Sequence, residues 1–193
     1  MDLKLRNWAK TSSGWSVWNC LRCQNPDWNP VKFRLVQNFI QKLLEERRKR
    51  FSPPDSLEKV FLSRRHARRR HLVNEDELLP ILKQHGFQVL IAEEHDVLEQ
   101  IQIFSQLTHL IAPHGAGLVN GMFAKPGARI LEIRPVISSG DYCFDDLFQC
   151  GEFQHEVLVP KKRGRFLLDP ELLDDTLRRW EQTETSLRRF ACV

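Results

Sequence analysis

From about residue 57 onward the chain alternates short apolar runs with stretches of helical periodicity, and this alternation narrows its possible folds more than any other feature. Val60-Phe61-Leu62, Phe87 to Ala92, His109-Leu110-Ile111-Ala112, Arg129-Ile130-Leu131-Glu132-Ile133 and Phe153 to Val159 read as strands. Asn74-Glu75-Asp76-Glu77 predicts a helix start with Asn74 as the cap and Glu77 three positions on. Leu78, Leu79 and Leu82 supply that helix's apolar face, and Gly86 ends it. Asp96 to Leu107 predicts a helix presenting Val97, Leu98, Ile101 and Phe104, and Leu118 to Ala124 a shorter one before the turn Lys125-Pro126-Gly127. Asp169-Pro170-Glu171 opens a last helix running to about Arg189, with Leu172, Leu173, Leu177 and Trp180 along one side. Strands alternating with helices through short connections imply an α/β fold on a parallel sheet with right-handed crossovers.

Ahead of this unit the pattern differs. Residues 1–29 show no periodicity and scatter Trp8, Trp15, Trp18 and Trp28 among Asn, Ser and Pro. Asn29-Pro30 then gives a helix start, and Val31, Leu35, Phe39, Ile40, Leu43 and Leu44 follow at helical spacing, which predicts a packed face. Ser52-Pro53-Pro54-Asp55 breaks the chain. Residues 1–55 are thus expected to be a lead-in with one amphipathic helix, and 56–193 a compact domain.

The composition sets outer bounds. A 193-residue chain with 41% hydrophobic residues can build one ordinary core. No apolar run approaches the ~20 residues that span a bilayer, and the first residues lack the apolar stretch of a secretory signal. Cys20, Cys23, Cys143, Cys150 and Cys192 are an odd, scattered set, which suits reduced thiols in the cytoplasm. The net charge of +4 is mild, but Arg64-Arg65-His66-Ala67-Arg68-Arg69-Arg70-His71 is a dense basic block, echoed at 47–50 and 161–165.

In an open parallel sheet, ligands bind beyond the carboxyl ends of the strands. Three loops are expected at that edge: Ser63-Arg64 running into the basic block, Pro113-His114-Gly115-Ala116-Gly117, and Glu132 with Arg134. Gly115 and Gly117 let backbone amides approach an anion, the following helix adds partial positive charge, and Arg64 or Arg70 can clamp the same oxygens. His114 can donate to a phosphate or a sugar hydroxyl. The plain alternative is that the two glycines only permit tight strand-to-helix packing.

Taken together, Phe61-Leu62-Ser63-Arg64, Arg69 to Leu78 with Asn74-Glu75 inside it, Glu99-Gln100-Ile101, Pro113 to Asn120, Phe123, Pro126-Gly127 and Leu131-Glu132-Ile133 strongly resemble glycosyltransferase family 61 over about residues 57–135. The resemblance implies transfer of a sugar from a nucleotide-sugar donor, UDP-linked by expectation, to an acceptor hydroxyl on a glycan or protein, with inversion. It also implies a GT-B architecture whose Rossmann-like C-terminal half holds the nucleotide, and this segment matches that half. By similarity Arg64 and Arg70 neutralise the diphosphate, and His114, Gly115, Ala116 and Gly117 contact phosphate or sugar. Asn74 and Glu75 match the family's N-E element, and Glu132 is placed to accept from ribose hydroxyls. Neutralising the leaving diphosphate is the physical core of such catalysis.

The chain departs from the family in having only about 55 residues before this segment, where a whole acceptor-side domain is usual. A transferase needs a base within reach of the acceptor hydroxyl, and Glu75 and His114 are the candidates. Glu75 also suits a first-turn helix acid, and His114 a loop donor. The resemblance leaves the metal requirement open. A non-catalytic nucleotide-sugar-binding module is the alternative function, and a nucleic-acid-binding domain a distant third, since the basic block lacks interleaved aromatics. As written the chain is expected in the cytoplasm, or in the ER or Golgi if a preceding segment carries a signal. Cys20 and Cys23 lack the second ligand pair of a zinc site, and no G-x-S-x-G elbow supports a hydrolase.

Overall fold

Five short strands form one fully parallel sheet in a computed structural model that describes residues 29–47, 57–135, 143–160 and 166–191. The tryptophan-bearing lead-in before residue 29, the Cys20–Cys23 pair, the 52–55 breaker and the 161–165 basic run lie outside those residues. The elements follow in order: α1 (Pro30–Arg47), β1 (Lys59–Leu62), α2 (Glu75–Gln84), β2 (Gln88–Leu90), α3 (Val97–Phe104), β3 (His109–Pro113), β4 (Arg129–Ile133), α4 (Cys143–Cys150), β5 (Gln154–Leu158) and α5 (Pro170–Ala191). Two 3-10 segments, Ala92–Glu94 and Ala116–Phe123, precede α3 and β4. The sheet order is β2-β1-β3-β4-β5.

The strands read as near-continuous apolar runs because helices cover both faces. Alternation along each strand divides the core in two. Val60, Leu62, Leu110, Ala112 and Ile130 face a cluster with Phe33, Ile101, Phe104 and Phe148. Phe61, Ile111, Leu131 and Ile133 face the other, with Leu78, Leu82, Leu173, Leu177 and Trp180 from α2 and α5. Every residue of β3 and β4 is buried.

Local signals behave unevenly. Asn29 caps α1 as expected, its Oδ1 accepting from the Lys32 amide at 3.0 Å. Asp96 and Glu99 form a reciprocal capping box on α3. Gly86 turns the chain out of α2 with φ +79°, a conformation only glycine adopts freely. Asn74, in contrast, makes no side-chain cap on α2. Its amide instead brackets Leu168, donating to the carbonyl at 2.8 Å and accepting from the N–H at 3.2 Å. The segment before α5 outcompetes the helix terminus for this side chain.

The inward face of α1 keeps Ile40 from the expected stripe but is otherwise rotated from it. Phe33 is buried, Val36 and Ile40 pack against the core, and the Gln37 amide donates to the Met122 carbonyl. Val31, Leu35 and Phe39 lie outward, at 68%, 63% and 45% exposure. Phe33 is the larger anchor, in edge-to-face contact with Phe153, and it fixes the helix's rotation. The predicted strand Phe87–Ala92 shortens to three residues, and the helix after Gly117 is 3-10 in form. No helix among the described residues is long and apolar enough to cross a membrane.

Candidate functional site

From β1 the chain moves outward to β2, then returns across β1 to β3 on its other side. This reversal opens a crevice between the carboxyl ends of β1 and β3, where open α/β sheets bind ligands. Arg64 leaves β1 there and Gly115 leaves β3. A Cβ on Gly115 would fall on the guanidinium of Arg64, so the missing side chain is what admits that group. Gly117 has a different neighbour: a Cβ there would stand 3.0 Å from Leu62 Cδ2. The two glycines therefore divide between the two readings, Gly115 serving the crevice and Gly117 the packing.

Arg64 is half-buried, and its Nη2 donates to the Arg69 carbonyl at 3.4 Å. Its Nε is buried without a hydrogen-bond partner. Burial lowers the guanidinium's pKa, Glu93 opposes this, and neighbouring Arg70 lowers it further. Arg70 itself has φ 60°, a left-handed backbone that a bulky residue adopts only when its surroundings impose it. Arg64 thus stands half-buried with an unsatisfied donor, and the charge of Arg70 is near enough to act on it.

Behind the crevice, Glu75 ties β1 to α2. Its Oε1 accepts from Ser63 Oγ at 2.7 Å and from Arg65 Nε and Nη2 at 2.9 and 2.7 Å. Arg65 also reaches Asp76. Part of the basic block is thus consumed internally, and Glu75 holds the strand end that carries Arg64. Its Oε2 is buried without a partner. Asn74 is committed to Leu168, as described above.

On the far side of β3 lies a buried ionic cluster. Glu132 is fully buried on the β4 face that also carries Ile130. Its Oε1 bonds His114 Nδ1 and accepts from Arg134 Nε at 2.9 Å. Its Oε2 accepts from Arg134 Nη2 at 2.7 Å and meets His155 Nε2 at 3.1 Å. Arg134 continues to Asp145 at 2.7 and 3.1 Å. Burial alone would raise the Glu132 carboxyl, but His114, His155 and Arg134 overcome it and hold it far below the usual carboxylate range. Glu132 in turn holds Arg134 strongly protonated. A ribose contact requires an oxygen of Glu132 to face the crevice, and both are engaged in this cluster. Glu132, Asp145 and His155 also bring ligand atoms within 4.8 Å of one another, with Arg134 already donating to both carboxylates.

The structure thus brings Arg64, Gly115 and His114 to one edge beside Arg70, and gives Glu75, Asn74 and Glu132 supporting contacts. Sequence reasoning assigned no role to Ser63, Arg65, Asp145 or His155. A glutamate inside the run Arg129–Ile133 was the available signal, since a buried carboxylate demands partners. Asn120 and Gln100, both within the quoted motifs, pair at 2.9 Å, and Gln100 donates onward to the Ala92 and His95 carbonyls.

The family model for glycosyltransferase 61 matches residues 16–131, more than half of the chain. The chain belongs to glycosyltransferase family 61. No curated protein matches it in a direct comparison. Membership makes it a glycosyltransferase-family protein at the level of reaction class, with a sugar donor and an acceptor as its reactants. The matched span contains Ser63-Arg64 and His114 to Gly117, whose Arg64 and Gly115 meet in the crevice, together with Glu75, which braces Ser63.

Proposed function

We propose that this glycosyltransferase 61 chain binds the diphosphate of a nucleotide-sugar donor in the crevice between β1 and β3. On this reading it is the nucleotide-holding half of a GT-B enzyme, UDP-sugars are its donors, and transfer to an acceptor hydroxyl of a glycan or protein inverts the anomeric carbon. The acceptor side comes from a further domain or partner. The single observation that carries the reading is the Arg64 guanidinium, seated over Gly115 with its Nε buried and unpartnered. A phosphate oxygen would satisfy that donor, and Arg70 adds the second charge a diphosphate needs. As the bond to the leaving diphosphate breaks, charge grows on its oxygens, and fixed guanidinium groups stabilise it without reorganising.

For the proton, the geometry favours His114 over Glu75. The Glu132 carboxylate on Nδ1 orients the His114 ring, as a carboxylate steers the imidazole of a general base. Glu75 is occupied with Ser63 and Arg65, which suits a positioning residue. A second reading, a nucleotide-sugar-binding module without a base of its own, draws on the 1% exposure of His114.

The test is calorimetric titration with UDP and UDP-sugars of the wild-type chain beside the Arg64→Ala, Arg70→Ala double variant. Saturable binding by the wild type, lost in the double variant, is expected. Absence of nucleotide binding by the folded wild-type chain overturns the proposal.

A further inference from the structure

A second cavity lies at the opposite edge of the sheet. It is an open pocket of about 340 Å³ between the amino ends of β4 and β5 and the outer turns of α5. That volume falls in the range of small-ligand sites. Arg129, His155, Glu156, Arg179 and Trp180 contribute its charged and aromatic lining. Arg129 opens β4 and shares the face of Leu131, whereas Arg64 lies beyond the carboxyl end of β1. The two sites are a strand's length apart, about 15 Å at 3.3 Å per residue.

Arg129 is 92% buried, being 8% exposed, yet it forms no ion pair among the described residues. Its Nη1 donates to the Trp180 carbonyl at 3.2 Å, and its guanidinium lies 5.7 Å from the centroid of the Trp180 ring. Those contacts account for one of its five N–H donors and one face of its plane. The carboxylate that shares the lining, Glu156, is engaged elsewhere: one oxygen bonds Arg179 Nη2 and the other accepts from Trp180 Nε1 at 3.0 Å. A buried guanidinium without a counter-ion is costly to a fold, and the usual remedy, a paired carboxylate, is absent among the described residues although Glu156 lines the same pocket. Glu156 instead fixes the Trp180 ring and the Arg179 side chain, which stands 59% exposed at the rim.

We infer that this cavity binds the oxyanion of a small ligand, a carboxylate or a phosphate, on the guanidinium of Arg129. Trp180 forms the wall beside the anion, and Arg179 at the rim draws negative ligands inward. The site is independent of the crevice at Arg64, and it can be occupied whether or not a nucleotide is bound there.

The probes are inorganic phosphate, glucuronate and uncharged glucose, titrated into the whole chain. The readout is the Trp180 indole N–H resonance, identified by its loss in Trp180→Phe, since this N–H lines the cavity through Glu156. A saturable shift with phosphate alone identifies a phosphate site, with glucuronate alone a carboxylate site, and with both a general oxyanion site. Arg129→Met is expected to weaken binding at least about tenfold, the loss of one charge-assisted contact, and Arg64→Ala to leave it unchanged. Should Arg129→Met fail to fold, Arg179→Gln replaces it and is expected to weaken binding several-fold. A resonance that stays fixed with both anions, an equal response to glucose, an unaltered affinity in the folded Arg129 or Arg179 variant, or an equal loss in Arg64→Ala overturns the inference.

Discussion

The guanidinium of Arg64 occupies the space that a side chain on Gly115 would fill. One residue lies just beyond the carboxyl end of β1 and the other just beyond that of β3, so the contact spans the point where the sheet's connections part. It joins two sequence elements 51 positions apart, and the absence of a side chain on Gly115 is what admits the guanidinium; on the proposed reading that surface faces a diphosphate.

That distinction separates two substitutions. Gly115→Ala meets the far end of a flexible arginine, which can swing aside, so the melting temperature is expected to change little while UDP affinity falls at least about tenfold. Gly117→Ala meets the packed Leu62 and is expected to cost about 1–3 kcal/mol of stability. Thermal melts and UDP titrations of both variants check the crossing pattern.

Glu132 holds a charged centre together from inside the core. Glu132→Gln leaves Arg134 short of its buried counter-charge and is expected to cost about 3–5 kcal/mol. Because the folded state depresses this carboxyl, its contribution is fully present above the ordinary value of about 4.3 and drains away as pH falls below it. The melting temperature of the wild type should therefore drop steeply on acidification below about pH 4, and the curve of Glu132→Gln should be flatter over the same range.

His85 gives the opposite slope. Burial pulls its pKa down, but Asp174 on one ring nitrogen and Glu181 on the other, each at 2.8 Å, outweigh this and raise it. Stability from this clamp between α2 and α5 is complete below the unfolded value of about 6.5 and is lost as pH rises through the raised folded value. Melting temperatures measured from pH 6 to 9 should fall by a few degrees in the wild type and stay level in His85→Gln.

Asn74 latches the segment before α5 onto the start of α2. Asn74→Ala leaves the buried Leu168 backbone unpaired and is expected to cost about 1–3 kcal/mol. Asn74→Asp restores the acceptor but not the donor, and should recover part of the loss. Denaturant unfolding of the two variants measures the difference.

Much of this architecture was legible because the physics that fixes it is local or periodic. Runs such as His109–Ala112 and Ile130–Ile133 are apolar on both faces, and Asn29 and Asp96 carry their capping signals beside the helices they start. The errors arise where distant chain segments compete. Val31, Leu35 and Phe39 line up with Ile40 as a cleaner apolar stripe than Phe33 and Val36 do, but Phe153 waits on the other side. Asn74 looks like a cap until Leu168 takes its amide. In the candidate site, Ser63-Arg64 and the His114–Gly117 loop were readable as motifs, whereas the Glu132 cluster depends on the β4–β5 register and on the docking of α4, which bring His155 and Asp145 to it.

The central claim is that Arg64 and Arg70 read a diphosphate in the crevice beside Gly115. Titrating the folded chain with uridine, UMP and UDP under matched salt tests it most directly. UDP is expected to bind saturably, UMP at least about tenfold more weakly and uridine not measurably, with the difference erased in Arg64→Ala. Equal affinity for all three, or UDP binding that survives Arg64→Ala unchanged, would contradict the account.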